Sequence, residues 1–99
     1  MSDGQPSVHI VISRLRPGAS REGFLDVTRR MVNWLRLQPG FVGYELYEGE
    51  DNWADRLEWE STAYAEHGRQ AFLATDIYAE MIQFVADDHR GIIGRSVPL

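Results

Sequence analysis

The sequence predicts an α+β fold in which helices cover one face of an antiparallel four-stranded sheet. Three observations carry that reading. Apolar residues alternate from Trp53 to Glu60, they recur at three- and four-residue steps between Ser20 and Arg36, and Pro-Gly pairs at 17–18 and 39–40 punctuate the chain into the order βαββαβ.

The first strand is VHIVISRL, Val8 to Leu15, rich in β-branched residues and apolar on both faces, and Pro17-Gly18 stops it. A helix follows from Ser20 to Arg36, with Phe24, Val27, Met31 and Trp34 as its apolar stripe. Ser20 is placed to cap it and Glu22 lies near its positive end. FVGYELYE, Phe41 to Glu48, reads as the second strand, with Val42, Tyr44 and Leu46 on one face and Phe41 and Tyr47 on the other. Gly49 to Asn52 turns the chain. WADRLEWE, Trp53 to Glu60, then puts Trp53, Leu57 and Trp59 on a buried face and Arg56, Glu58 and Glu60 on the other. Ser61 caps a helix running to about Phe72. After a break at Ala74-Thr75-Asp76, Thr75 or Asp76 caps a second helical piece striped by Ile77, Met81, Ile82 and Val85. Gly91 to Val97 closes the sheet as a short strand before Pro98.

This is the order of a ferredoxin-like sandwich. Residues 1–7 read as a flexible N-terminus and 8–99 as one domain, with no internal repeat, linker or low-complexity tract. Apolar side chains on both faces of strands one and two would leave a wet apolar patch on the sheet's open face. Homodimerisation by packing two sheets face to face is the expected remedy.

Composition excludes several function classes. With 99 residues, 43% hydrophobic and 25% charged, the chain has an ordinary globular composition. The net charge is −5, and the ten basic residues are all arginines, scattered except for Arg29-Arg30, so neither a nucleic acid nor an anionic membrane is an expected partner. The absence of cysteine rules out disulfides, thiolate nucleophiles and zinc–thiolate sites. MSDGQPSVH lacks the order of a signal peptide and no apolar run could span a bilayer, so the expected compartment is cytoplasmic. No GxGxxG, P-loop or CxxCH appears, and the expected cofactor is none.

The stretches VHIVISRLRPGASREGFLDV, QPGFVGYELYE and LEWESTAYAEH, in that order and with Pro39-Gly40-Phe41 and Trp59-Glu60-Ser61 as their most specific parts, resemble the antibiotic-biosynthesis-monooxygenase domain of the dimeric α/β-barrel superfamily. The resemblance implies a homodimer whose sheets close a barrel, with a pocket in each subunit between sheet and helices. The family's chemistry is varied. Some members oxidise anthrone-like polycyclic phenols with molecular oxygen and no metal or flavin, some cleave haem, and others have no known reaction. In the anthrone-oxidising branch the tryptophan of the WES motif lies in the pocket with an asparagine four residues before it and a tyrosine six after. This chain has Trp59, but Asp55 and Ala65 at those positions, with Tyr64 one residue early. In the haem-degrading branch a tryptophan nine residues after the WES tryptophan and a histidine ten further on are matched here by Gly68 and Tyr78, and the first-strand asparagine by Val11, which disfavours haem degradation.

The candidate site therefore comprises Trp59, His67 and Tyr64 as catalytic residues, and Tyr44, Phe72, Tyr78 and Phe84 as contacts for a small aromatic substrate. Each has a plainer reading beside it. Trp59 is a large ring on a buried strand face, Tyr64 and the other aromatics are ordinary core material, and a lone helical histidine is commonly exposed. His67 lies near Tyr64 on one helical face, and imidazole chemistry suits removal of a phenolic proton near neutral pH. His9 faces away from Val8 and Ile10, with the dimer barrel as its expected surroundings. Asp87-Asp88-His89 reads as solvated charge ending a helix rather than a metal site, and Arg56, Glu58 and Glu60 as a solvated or interfacial ladder.

With no redox-active side chain, an oxygenase of this kind draws its electrons from the substrate. The expected mechanism is deprotonation of a phenolic or enolic carbon acid by His67, or by water held by Tyr64, with Trp59 N–H stabilising the oxyanion. A non-catalytic binding module and a haem-binding protein are the alternatives.

Overall fold

Residues 5–99 are described by a computed structural model. The elements are β1 (Ser7–Ser13), α1 (Arg21–Leu35), β2 (Phe41–Glu48), β3 (Trp53–Trp59), α2 (Thr62–Leu73), α3 (Asp76–Met81) and β4 (Arg90–Gly94). The four strands form one sheet in the order β2-β3-β1-β4, antiparallel at each pairing, with the helices on one face. This is the α+β ferredoxin-like architecture that the βαββαβ order predicts.

Local chemistry sets the helix starts. The side chains of Ser20, Ser61 and Thr75 accept from the backbone N–H groups of Gly23, Tyr64 and Tyr78, at 2.9, 3.3 and 3.1 Å, each satisfying a donor that the first helical turn leaves free. Along α1 the buried stripe is Phe24, Val27, Met31 and Leu35. Trp34, expected in that stripe, is only partly buried and packs on Phe72 of α2, ring centroids 5.6 Å apart.

Several boundaries move. Ser7, expected in the flexible N-terminus, begins β1 and is fully buried, while residues 1–4 lie outside the described part of the chain. Leu15 and Val85, read as the ends of a strand and of a helix stripe, meet instead in an isolated antiparallel bridge. Just beyond, Arg14 pairs with Asp88 at 2.9 Å and Arg16 with Asp87 at 2.8 Å. The acidic run before His89 therefore pins the chain after α3 against the end of β1.

The second strand departs most from the expected faces. A register shift between Phe41 and Gly43 inserts a bulge, so Phe41 turns to the helix side, opposite Trp59 and 5.3 Å from its ring, while Val42 is left exposed. A bulge moves later side chains by one position, which reverses the period-2 assignment at its start. The open face of β2 consequently carries Glu45 and Tyr47, joined to each other at 2.7 Å and to the Arg56 network of β3. Val8, Ile10 and Ile12 of β1 and Ile92 of β4 remain on the same open face. Ile92 is 69% exposed. The sheet thus covers one face with helices and presents a second that is apolar along β1 and β4 and charged along β2 and β3.

Candidate active site

Between the sheet and the helices lies a cavity of about 440 Å³, within the range of about 300–1,000 Å³ usual for small-molecule sites. Its walls are mostly apolar: Met31 and Leu35 from α1, Leu57 from β3, Phe72 from α2 and Tyr78 and Met81 from α3. Of the polar residues on the sheet floor, which also include Ser13 and Arg90, three adjoin one another. They are Trp59, Asp55 and His9.

Register explains why these three meet. His9 on β1 is paired with Leu57 on β3, so the next residues of β3 on the same face, Asp55 and Trp59, are its diagonal neighbours. The sequence reading pointed His9 into a dimer barrel. The strand does alternate as expected, with His9 opposed to Val8 and Ile10, but its face is the helix side, and it lines the cavity. Burial and the nearby Arg69 guanidinium both lower its basicity, against the opposing effect of Glu66.

Trp59 is 1% exposed, and its indole N–H has no hydrogen-bond partner among the described residues. A buried donor left unmatched carries a penalty of about 1–3 kcal/mol. The ring is fixed by Phe41 on one side and by Gly68 of α2 on another, where a Cβ would collide with its six-membered ring. Gly68 is therefore the space that Trp59 fills.

Asp55 is drawn into the floor by the alternation of β3, which sets it between Trp53 and Leu57. Burial pushes its carboxyl up to about 6, against the opposing effect of a 2.6 Å hydrogen bond donated by the Tyr44 hydroxyl. Tyr44 is itself pushed upward by burial and by the carboxylate beside it.

The other residues singled out from the sequence divide clearly. Phe72 and Tyr78 line the cavity and contact edge to face, centroids 5.7 Å apart. Tyr44 reaches it only through Asp55. Phe84 packs with Phe24, Trp53 and Val85, its ring closing on Gly23, and lines no part of the cavity. His67 and Tyr64 are exposed on α2 and do not line the cavity, Tyr64 being 41% exposed. The reason is helical phase. Ala65 and Gly68 are the buried positions of α2, and 64 and 67 stand one residue off that stripe. Tyr64 instead covers Gly40, whose φ of +77° turns the chain into β2 and whose carbonyl accepts from Glu60 N–H at 2.8 Å. The Pro39-Gly40-Phe41 and Trp59-Glu60-Ser61 motifs are thus one packed corner.

The sequence reading names His9, and names Asp55 at the position of the family's pocket asparagine, but counts neither among the candidate site residues. The signal for Asp55 was present, a carboxylate in phase with Trp53, Leu57 and Trp59 on the buried face of a cleanly alternating strand. Among the described residues no group of three or more His, Cys, Asp or Glu is arranged to hold a metal ion, and no helix is long and apolar enough to cross a membrane.

No protein-family model matches the chain, and no curated protein is similar to it. Solved structures are similar over nearly the whole length. A mutant of SnoaB, a cofactor-independent oxygenase from Streptomyces nogalater, superimposes with a TM-score of 0.81 at 12% identity, covering 96% of this chain and 96% of that one. Rv0793 from Mycobacterium tuberculosis gives 0.74 at 18% identity, with 96% of each chain covered. A protein named antibiotic biosynthesis monooxygenase gives 0.70 at 18% identity, covering 93% of this chain and 99% of that one. Likeness at this identity is likeness of shape, and by shape the chain has the antibiotic-biosynthesis-monooxygenase fold.

Proposed function

We propose that this protein is an oxygenase that uses molecular oxygen on a small aromatic carbon acid, of the anthrone or quinol type, bound between the sheet and the helices. The observation that carries the reading is Trp59, a cavity-lining indole whose buried N–H has no protein partner. Such a donor is suited to the oxygen of a phenolate or enolate as charge develops on it. Phe72 and Tyr78 offer the flat apolar wall that an aromatic ring needs. SnoaB, which shares the fold, is a cofactor-independent oxygenase.

The chemistry balances with the substrate as reductant. Loss of a proton from a CH₂ group leaves a carbanion delocalised into the ring. Its electrons add to O₂ to form a C–O bond and a peroxide, and cleavage of the O–O bond with loss of the second C–H hydrogen yields a ketone and water. Within this scheme Trp59 N–H holds the ring oxygen, and the apolar walls keep water from the carbanion. The active form is a homodimer through the open sheet face, which the uncovered Ile10, Ile12 and Ile92 support.

Oxygen uptake with anthrone tests the reading. The parent protein is expected to consume oxygen above the buffer rate. Trp59→Phe should lose roughly 10- to 100-fold in kcat, whereas His67→Ala on the exposed side of α2 should keep the parent rate. No uptake by the parent, with anthrone still binding, would make the protein a binding module instead.

A further inference from the structure

Asp55 is a partly buried carboxylate with no cationic partner among the described residues. Oδ2 accepts the Tyr44 hydroxyl at 2.6 Å, and Oδ1 has no donor among the described residues. Among the described residues no arginine or histidine forms an ion pair with it, although Arg56 next to it in sequence bridges Glu45 and Glu58 on the opposite face. A buried charge left unpaired is costly, and here it lines the same cavity as Phe72 and Tyr78, diagonal to His9.

We propose that Asp55 takes the proton of the bound carbon acid, with Tyr44 as the residue that positions its carboxylate. This rests on the reading of the cavity as a carbon-acid site. The substrate C–H bond breaks, a new O–H bond forms at Oδ1, and the electron pair stays on the substrate ring. Electrostatics select Asp55 over its neighbour. Protonation turns the buried carboxylate into a neutral acid and removes an unpaired charge, whereas protonation of His9 would create a second positive charge in a desolvated place facing Arg69. The charged and titratable groups around the cavity are His9 on β1, Glu66 and Arg69 on α2, Tyr78 on α3, and His89 and Arg90 at the start of β4; α1 contributes only apolar side chains. Glu66 and Arg69 face each other at 3.5 Å, and His89 Nδ1 contacts the Ala86 carbonyl at 3.0 Å. None of them pairs with Asp55. Its carboxyl, raised to about 6 by burial, then acts as a base near neutral pH.

The experiment separates proton transfer from oxygen chemistry. Deuterium exchange at the CH₂ of anthrone is followed anaerobically by NMR, and oxygen uptake is followed in parallel, for the parent, Asp55→Asn, Tyr44→Phe and His9→Gln, each checked for folding by thermal melting. The parent should accelerate exchange with an acid limb near pH 6. Asp55→Asn should slow exchange about 100-fold or more and abolish that limb, with anthrone affinity unchanged within threefold. Tyr44→Phe should move the limb to higher pH, since the lost hydrogen bond favoured the carboxylate, and His9→Gln should leave it in place. Exchange within threefold of parent in folded Asp55→Asn, or no accelerated exchange by the parent, would overturn the proposal. Exchange that depends on Asp55 without any oxygen uptake would uphold it and refute the oxygenase reading.

Discussion

Asp55 shows how one residue can be legible in pattern and still be misjudged. The alternation from Trp53 to Trp59 places position 55 inside, yet a carboxylate there contradicts the rule that buried charges are paired, and that contradiction was the available signal. His67 stands away from the cavity for the opposite reason. Its chemistry was attractive, but a helix buries a stripe, and one residue of phase separates His67 from Gly68. The unpaired carboxyl also has a pH signature. Burial pushes the folded-state carboxyl up to about 6 from an ordinary 3.8, so the native protein binds the proton more tightly than the unfolded chain and Asp55 lowers stability as pH rises from about 4 to above 6. Asp55→Asn should therefore stabilise the protein by on the order of 1–3 kcal/mol at pH 8 and by nearly nothing at pH 3.5. Urea melts at the two pH values would show it, and equal effects at both would contradict the burial argument.

At the scale of elements, helix starts were readable because a single hydroxyl decides them, and Ser20, Ser61 and Thr75 all serve as caps. The faces of β2 were not. The bulge after Phe41 is a consequence of pairing with β3, and nothing local in FVGYELYE specifies which residue is doubled. The contact between α2 and β3 is similarly invisible in one dimension. Gly68 reads as a weak point in a helix, yet its lack of a side chain is what lets Trp59 stand upright in the floor. Gly68→Ala would gain up to about 1 kcal/mol of helix propensity and lose about 1–3 kcal/mol to overpacking against the Trp59 ring. The expected result is a lower melting temperature and a changed near-ultraviolet tryptophan signal. A rise in melting temperature with an unchanged signal would show that the indole can shift.

For the molecule as a whole, the order of elements predicted the sheet and its single covered face, because period-2 and period-3.6 patterns separate cleanly along most of this chain. The open face joins an apolar stripe on β1 and β4 to a charged field on β2 and β3. In an isologous pairing the stripes of two subunits would cover each other. Light scattering at micromolar concentration should give twice the 11.3 kDa chain mass, and Ile10→Glu with Ile92→Lys should shift it to the monomer while leaving the circular-dichroism spectrum intact. A monomeric parent would refute the pairing. One further consequence follows from the bond that Ser7 Oγ donates to the Gly94 carbonyl across 87 positions of sequence. The floor of the cavity is completed by the first and last strands, so a growing polypeptide carries His9, Asp55 and Trp59 before it has a site at all. Loop closure over that span is the slow kind of contact. Ligand binding during synthesis should therefore appear abruptly with emergence of β4, and chains stalled before Arg90 should hold their aromatics without holding a ligand.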